Sequence, residues 1–129
     1  MPKTFSSKPS KQRAKLYSAP MHRIRRLLSA SLSTELKTSY GRNSYPVRKG
    51  DTVKILRGDY AGIEGKITEI DTKRRRLFVE GVSREKVAGT STNVSVHSSK
   101  VMVTKLNLDD KWRAESVKLV PTKSSTEEA

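Results

Sequence analysis

Residues able to make or break bonds are sparse in this chain of 129 residues. There are two histidines, His22 and His97, one in each half, and neither has a carboxylate at a spacing that suggests a proton-transfer dyad. Cysteine is absent, which excludes disulfides and thiolate-bound metals and disfavours a small secreted scaffold. Serines are plentiful, but none lies in a nucleophile-elbow sequence. The inventory therefore predicts no catalytic residue, no metal site and no cofactor, in a protein that is not an enzyme. Fixed positive charge, by contrast, is abundant: 27 Lys and Arg against 13 Asp and Glu, a formal net charge of +14. A lone surface cation is usually only solvated. Here the surplus is clustered, as Arg23, Arg25 and Arg26 and again as Arg74, Arg75 and Arg76, and the chemistry open to such clusters is phosphate binding. Nucleic acid is the first partner to expect and an acidic membrane surface the second. Tyr17, Tyr40, Tyr45 and Tyr60 could stack on bases, but single tyrosines in separate segments serve equally well as core or cover.

The elements that must carry these cations fall into three charge segments. Residues 1–46 hold ten basic groups and one acid, residues 47–106 thirteen and seven, and residues 107–129 four and five. Residues 1–19 read as an extended basic arm, with Lys3, Lys8, Lys11, Arg13 and Lys15 scattered among Ser and Pro and no apolar period. Within 20–46 two short helices are expected. One follows Pro20, with Met21, Ile24, Leu27 and Leu28 on a single stripe. The other spans STELKTSYG, capped by Ser33, lined by Leu32, Leu36 and Tyr40 and ended by Gly41. From Val47 to Leu106 the period becomes two. Strands are expected in DTVKILR, IEGKITEI, RLFVE, NVSVH and KVMVTKL, with Val53, Ile55, Ile63, Ile67, Leu77, Val79, Val94, Val96, Val101 and Val103 inward. Residues 87–91 read as a loop. Four or five short strands joined by tight turns make a mainly β protein, a small barrel. In 107–129 a short helix capped by Asp109 should dock Trp112, before a polar tail.

The joint between the first two of these strands is RGDYAGIEGKI. Its Arg57-Gly58-Asp59 matches an adhesion tripeptide, but that reading needs export. The N-terminus has no apolar signal core, no window is apolar enough to span a membrane, and the chain reads as intracellular and soluble. Gly58, Gly62 and Gly65 are the informative letters: each can supply a positive φ or a close backbone approach at a strand–turn–strand joint. The spacing is not that of a phosphate-cradling loop. Arg57 remains as a phosphate contact, and Asp59 is the expendable residue.

KGDTVKILRGDYAGIEGKITEID, residues 49–71, resembles a KOW motif, which occurs in ribosomal proteins and in transcription elongation factors of the NusG and Spt-five type. The flanks, YSAPMHRIRRLLSASLSTELKTSYG, YPVRKGD, VSREKVAGT and VHSSKVMVTKLNLDD, resemble the universal large-subunit ribosomal protein family called L-twenty-four in bacteria and L-twenty-six in eukaryotes. The resemblance runs from about Lys11 to Ala114, in the archaeal and eukaryotic branch, with a brief C-terminus of archaeal type. Ser31 and Ser98 depart from it, each standing in an expected loop where that branch usually has Pro. The resemblance implies an SH3-like barrel and a structural constituent of the large ribosomal subunit, cytoplasmic and ribosome-bound. It implies binding of large-subunit rRNA, chiefly the 5′ domain, early in assembly, beside neighbouring large-subunit proteins near the tunnel exit, with no membrane insertion and no small-molecule substrate. By position, Arg48, Lys49, Arg57, Lys66, His97 and Lys100 would face RNA around the barrel, with Lys11, Arg13, Lys15, Arg23, Arg25 and Arg26 doing so from the extension. The Arg74–Arg76 cluster joins them on charge alone. A KOW module of an elongation factor is the alternative, but it needs an α/β domain ahead of the motif, and residues 1–46 are too short and too basic for one. A modest apolar fraction and a long basic extension suit a chain that completes its folding against RNA.

Overall fold

The computed structural model describes residues 6–118; Lys3 of the expected arm and the polar tail beyond Lys118 lie outside the described residues. In chain order the elements are helices α1 (Pro9–Tyr17) and α2 (Met21–Leu27), strand β1 (Ser29–Leu32) and helix α3 (Thr34–Tyr40). Strands β2 (Ser44–Pro46), β3 (Thr52–Ile55), β4 (Glu64–Asp71), β5 (Arg76–Glu85) and β6 (Ser91–His97) follow, then a 3-10 turn (Ser98–Lys100), strand β7 (Val101–Lys105) and helix α4 (Lys111–Lys118). The strands form one seven-stranded sheet in the order β2-β1-β7-β3-β4-β5-β6. Every pairing is antiparallel except β1 with β7, which run parallel through Ser31–Met102 and Leu32–Val103. Irregular registers interrupt β4 between Ile67 and Glu69 and β5 between Phe78 and Ser83. Bulges of this kind bend strands and raise their twist, which lets a short sheet wrap around its own core. One apolar cluster fills the interior, drawing on Leu28, Ala30 and Leu32 from the first strand region and on Val53, Ile55, Ile67, Leu77, Val79, Val96, Val101 and Val103 from the rest. The architecture is that of a small SH3-like barrel with helical appendages.

The period-two reading holds where the side chains alternate in volume and polarity. Val53 and Ile55 are buried while Lys54 between them is exposed, and Leu77 and Val79 likewise flank the half-buried Phe78. Helix α3 has the expected ends: Ser33 Oγ accepts from the Leu36 N–H at 3.4 Å, and Gly41 closes it at φ 66°. The KOW joint is held by two backbone bonds, Gly62 N–H to the Ile55 carbonyl (2.7 Å) and Ile55 N–H to that of Ile63 (2.9 Å). Gly58 and Gly62 have positive φ there, at 98° and 91°. Gly65 is needed for a different reason: a Cβ on it would lie 2.6 Å from the Glu80 carbonyl oxygen of β5.

Several expectations need correction. The arm is not extended throughout, because α1 occupies Pro9–Tyr17 and buries no residue. Lys11 to Leu16 is an unbroken run of helix formers behind a Pro in the first turn, so local propensity suffices without an apolar face. Leu32 does not line α3; it ends β1, which is paired on both edges and carries Leu32 into the core. Ser31 therefore lies in a strand rather than a loop, and Ser98 is buried in the 3-10 turn. The sheet also recruits residues 29–32 and 44–46, ahead of the expected barrel segment. β5 continues past Glu80 through Gly81, whose φ of 84° carries the strand around a kink. Helix α4 leaves Trp112 80% exposed and buries Arg113 and Val117 instead. Its first turn is held by Asp110, not Asp109: Asp110 Oδ1 accepts from the Trp112 N–H at 3.1 Å.

Candidate nucleic-acid interface

The β3–β4 joint, the start of β5, the end of β6 and the 3-10 turn converge on one small cleft, about 180 Å³ in volume. Arg57, Gly58, Asp59 and Tyr60 form one wall, and Arg76, His97 and Lys100 the other. Arg76 and His97 are cross-strand partners in the β5–β6 ladder, which places a guanidinium beside the imidazole. His97 Nδ1 accepts from the Ser99 N–H at 3.2 Å and lies 2.8 Å from Ser99 Oγ. The neutral ring therefore keeps its proton on Nε2. Partial burial, then the charges of Arg76, Arg75 and Lys100, hold the His97 pKa below its ordinary value. Burial is the larger cause, and the three cations add a positive potential that a phosphate oxygen would relieve. Tyr60 lines the cleft, its hydroxyl donating to the Ser83 carbonyl at 3.4 Å.

A larger cleft, about 720 Å³, opens where α2 meets the barrel. Its cations are Arg25 from α2 and Arg48 and Lys49 from the link between β2 and β3. Leu28, Pro46, Val47, Ile70 and Thr72 complete the lining. Arg48 Nη1 is held at 2.9 Å by Asp110 Oδ2, the same carboxylate that caps α4. The DTKRRR turn connects the two clefts along the chain, with Thr72 in the larger and Arg76 in the smaller. Within that turn the Arg74 N–H donates to Asp71 Oδ1 at 3.2 Å, and Arg75 adopts a positive φ of 56°.

The structure thus gathers Arg57, Arg76, His97 and Lys100 at one cleft, and Arg25, Arg48 and Lys49 at another, out of segments far apart in sequence. Lys11, Arg13 and Lys15 sit apart from both on α1, and Arg23 and Arg26 lie on α2 outside the larger cleft's lining. Lys66 is exposed on β4, opposite Thr52, and lines neither cleft. Gly65 supports the site from behind by bringing β4 and β5 together.

One ion pair escaped the sequence reading. Asp51 and Arg113 are both buried and meet through two bonds of 2.6 Å. Arg113 also donates to the carbonyls of Asn107 (2.8 Å) and Pro46 (3.0 Å), and Asp51 accepts from the backbone N–H of Arg48 and Asn107. Arg113 and Arg42 both pack on Tyr45, with guanidinium carbons 5.5 and 5.4 Å from its ring centre. The clasp fixes α4 against the β2–β3 link and so sets the position of Arg48 and Lys49. Nothing in DKWRAES separates Arg113 from the solvated cations around it; only its partner's burial does. Among the described residues no group of three or more His, Asp or Glu side chains comes together, and no helix is long and apolar enough to cross a membrane.

A family model described as ribosomal proteins L26 of eukaryotes and L24p of archaea matches residues 6–119. The large ribosomal subunit protein uL24 of Korarchaeum cryptofilum is 54% identical over 108 residues, covering 84% of this chain and 82% of that protein. The uL24 of Saccharolobus solfataricus is 49% identical over 112 residues, 87% of this chain and 94% of its own length. The uL24 of Sulfolobus acidocaldarius is 47% identical over 113 residues, 88% and 84% respectively.

Proposed function

We propose, because the chain belongs to the ribosomal protein family of eukaryotic L26 and archaeal L24p, that it is a structural constituent of the large ribosomal subunit that binds large-subunit rRNA. Its place is the 5′ domain of that RNA, engaged early in assembly near the exit of the peptide tunnel, beside other large-subunit proteins. In the cell it is cytoplasmic and ribosome-bound. The observation that carries this reading is the convergence of Arg57, Arg76, His97 and Lys100 on one cleft and of Arg25, Arg48 and Lys49 on another. Both suit phosphate oxygens. Lys11, Arg13 and Lys15 on α1, with Arg23 and Arg26 on α2, extend the contact beyond the barrel. Arg74, Arg75 and Lys66 add charge around it. A helix such as α1, which buries nothing of its own, gains its partner from RNA.

Sedimentation of a native lysate tests the assignment. The protein should travel with the large subunit at moderate salt, and a pool found only free in the cytosol would sink the proposal. Binding to a 5′-domain rRNA fragment, against a fragment from another domain, tests the finer placement. Equal affinity for the two would remove it.

A further inference from the structure

We propose that the cleft between α2 and the barrel seats a single unpaired rRNA nucleotide, with its base on an apolar floor and its flanking phosphates on Arg25, Arg48 and Lys49. This inference rests on the rRNA-binding reading and specifies the form of RNA that one of its sites accepts.

The two clefts differ in what they can hold. At about 180 Å³ the smaller one suits a backbone phosphate among its cations. The larger, at about 720 Å³, has the volume of an organic ligand site. Its lining also joins apolar surface to charge. Among its apolar lining residues Pro46 and Ile70 are half-buried, so part of each remains exposed, while Leu28 and Val47 are almost wholly buried. Duplex RNA offers phosphates and 2′-hydroxyls to a protein but keeps its base faces stacked inside. Three cations alone would fit a duplex backbone. Three cations around an apolar floor fit a nucleotide turned out of the stack, and Thr72 supplies a hydroxyl at the rim for the base edge.

The floor is built before any ligand arrives. The Val47 N–H donates to the Leu28 carbonyl at 3.2 Å, and Pro46 is fixed by its carbonyl bond from Arg113. Asp110 holds Arg48 at the rim, 43% and 55% of the two side chains remaining exposed, so a phosphate can compete for that guanidinium. The walls come from α2, the β2–β3 link and the β4–β5 region, so an occupant would hold the helical extension against the barrel.

The test uses the full chain with three labelled probes: a short oligoadenylate, the same backbone with abasic sites, and a blunt duplex of equal length. Fluorescence anisotropy should show the oligoadenylate binding about tenfold more tightly than the abasic strand. Ile70→Thr, which removes apolar floor, should abolish that difference while leaving abasic binding unchanged. Pro46→Ser gives the same readout if pairing in β4 suffers in the first variant, with circular dichroism confirming each fold. Triple replacement of Arg25, Arg48 and Lys49 by Ala should weaken all three probes. Equal binding of the oligoadenylate and abasic strands, preference for the duplex, or a base-dependent gap that persists in a folded floor variant would overturn the proposal. Large-subunit rRNA is titrated in parallel: its failure to bind at all would instead overturn the rRNA-binding reading.

Discussion

Gly65 has less freedom than any other residue of the KOW joint. Its would-be Cβ meets a backbone oxygen at 2.6 Å, which cannot swing aside as a side chain could. Gly65→Val should therefore cost about 3 kcal/mol of stability by overpacking the β4–β5 contact, read as a lower midpoint in thermal or urea unfolding. Asp59→Ala, on the exposed turn nearby, should stay within about 0.5 kcal/mol of the native protein in the same measurement. His97 gives a pH-dependent counterpart. Its pKa in the folded protein lies below the unfolded value of 6.5, because burial, Arg76, Arg75 and Lys100 all oppose the charged ring. The unfolded chain then binds more protons just below that value. Stability contributed by the neutral ring is complete above it and is lost as pH falls through the folded pKa. Denaturant midpoints should decline over that interval, and His97→Asn should flatten the decline. Were RNA phosphates bound beside the ring, they would oppose that shift, so that binding takes up a proton and affinity should rise as pH falls through the same interval. A pH-independent affinity would place His97 away from the RNA backbone.

At the level of elements, α4 is held by a charge pair rather than by its tryptophan. Replacing Arg113 by Ala leaves the Asp51 carboxylate buried with only two backbone donors, a loss expected to cost about 3–5 kcal/mol in denaturant unfolding. Arg113→Lys should recover little of it, since an ammonium cannot span both carboxylate oxygens and the Asn107 and Pro46 carbonyls together. The double variant Asp51→Asn with Arg113→Met should be more stable than Arg113→Ala, as no lone charge remains inside. This clasp also marks how far the sequence was legible. Strands with alternating bulky aliphatics, such as Thr52–Ile55, announced themselves, as did α3 through Ser33 and Gly41. β1 did not, because Ser29, Ala30 and Ser31 are small and weak in either period, and only pairing with β2 and with β7, the latter about seventy residues on, decides their state. α1 was hidden for the converse reason: its propensity is local, but it has no apolar face to reveal a period. Among the candidate RNA-facing residues, charge identified the cations and the resemblance ranked them. Their division into two clefts depended on tertiary contacts that no spacing expresses. Aromatic size does not bury Trp112, because the helix phase is set by the Asp51 carboxylate that Arg113 must reach.

Over the whole molecule, a net charge of +14 in 129 residues predicts a binding energy dominated by counterion release. With ~6–10 phosphates neutralised, affinity for an rRNA fragment should fall ~10³–10⁵-fold between 50 and 200 mM salt in a filter-binding or anisotropy titration. Replacing Arg23, Arg25 and Arg26 by Glu should lower both the affinity and that slope while leaving the melting midpoint of the barrel unchanged. Retention of the native slope would mean that α2 contributes no contact. The parallel pairing of β1 with β7 bears on a different matter, the order in which the chain becomes available during synthesis. Ser31 and Leu32 emerge from the ribosome that makes them long before Met102 and Val103, their sheet neighbours, and Asp51 emerges before Arg113. Until those late residues appear, the first strand lacks one edge and the buried carboxylate has no guanidinium. A nascent chain of this protein can form the β3–β4–β5 meander early, but it closes the barrel only once β7 and Arg113 have been made. During that interval its cationic arm is already made, and RNA is the partner within reach.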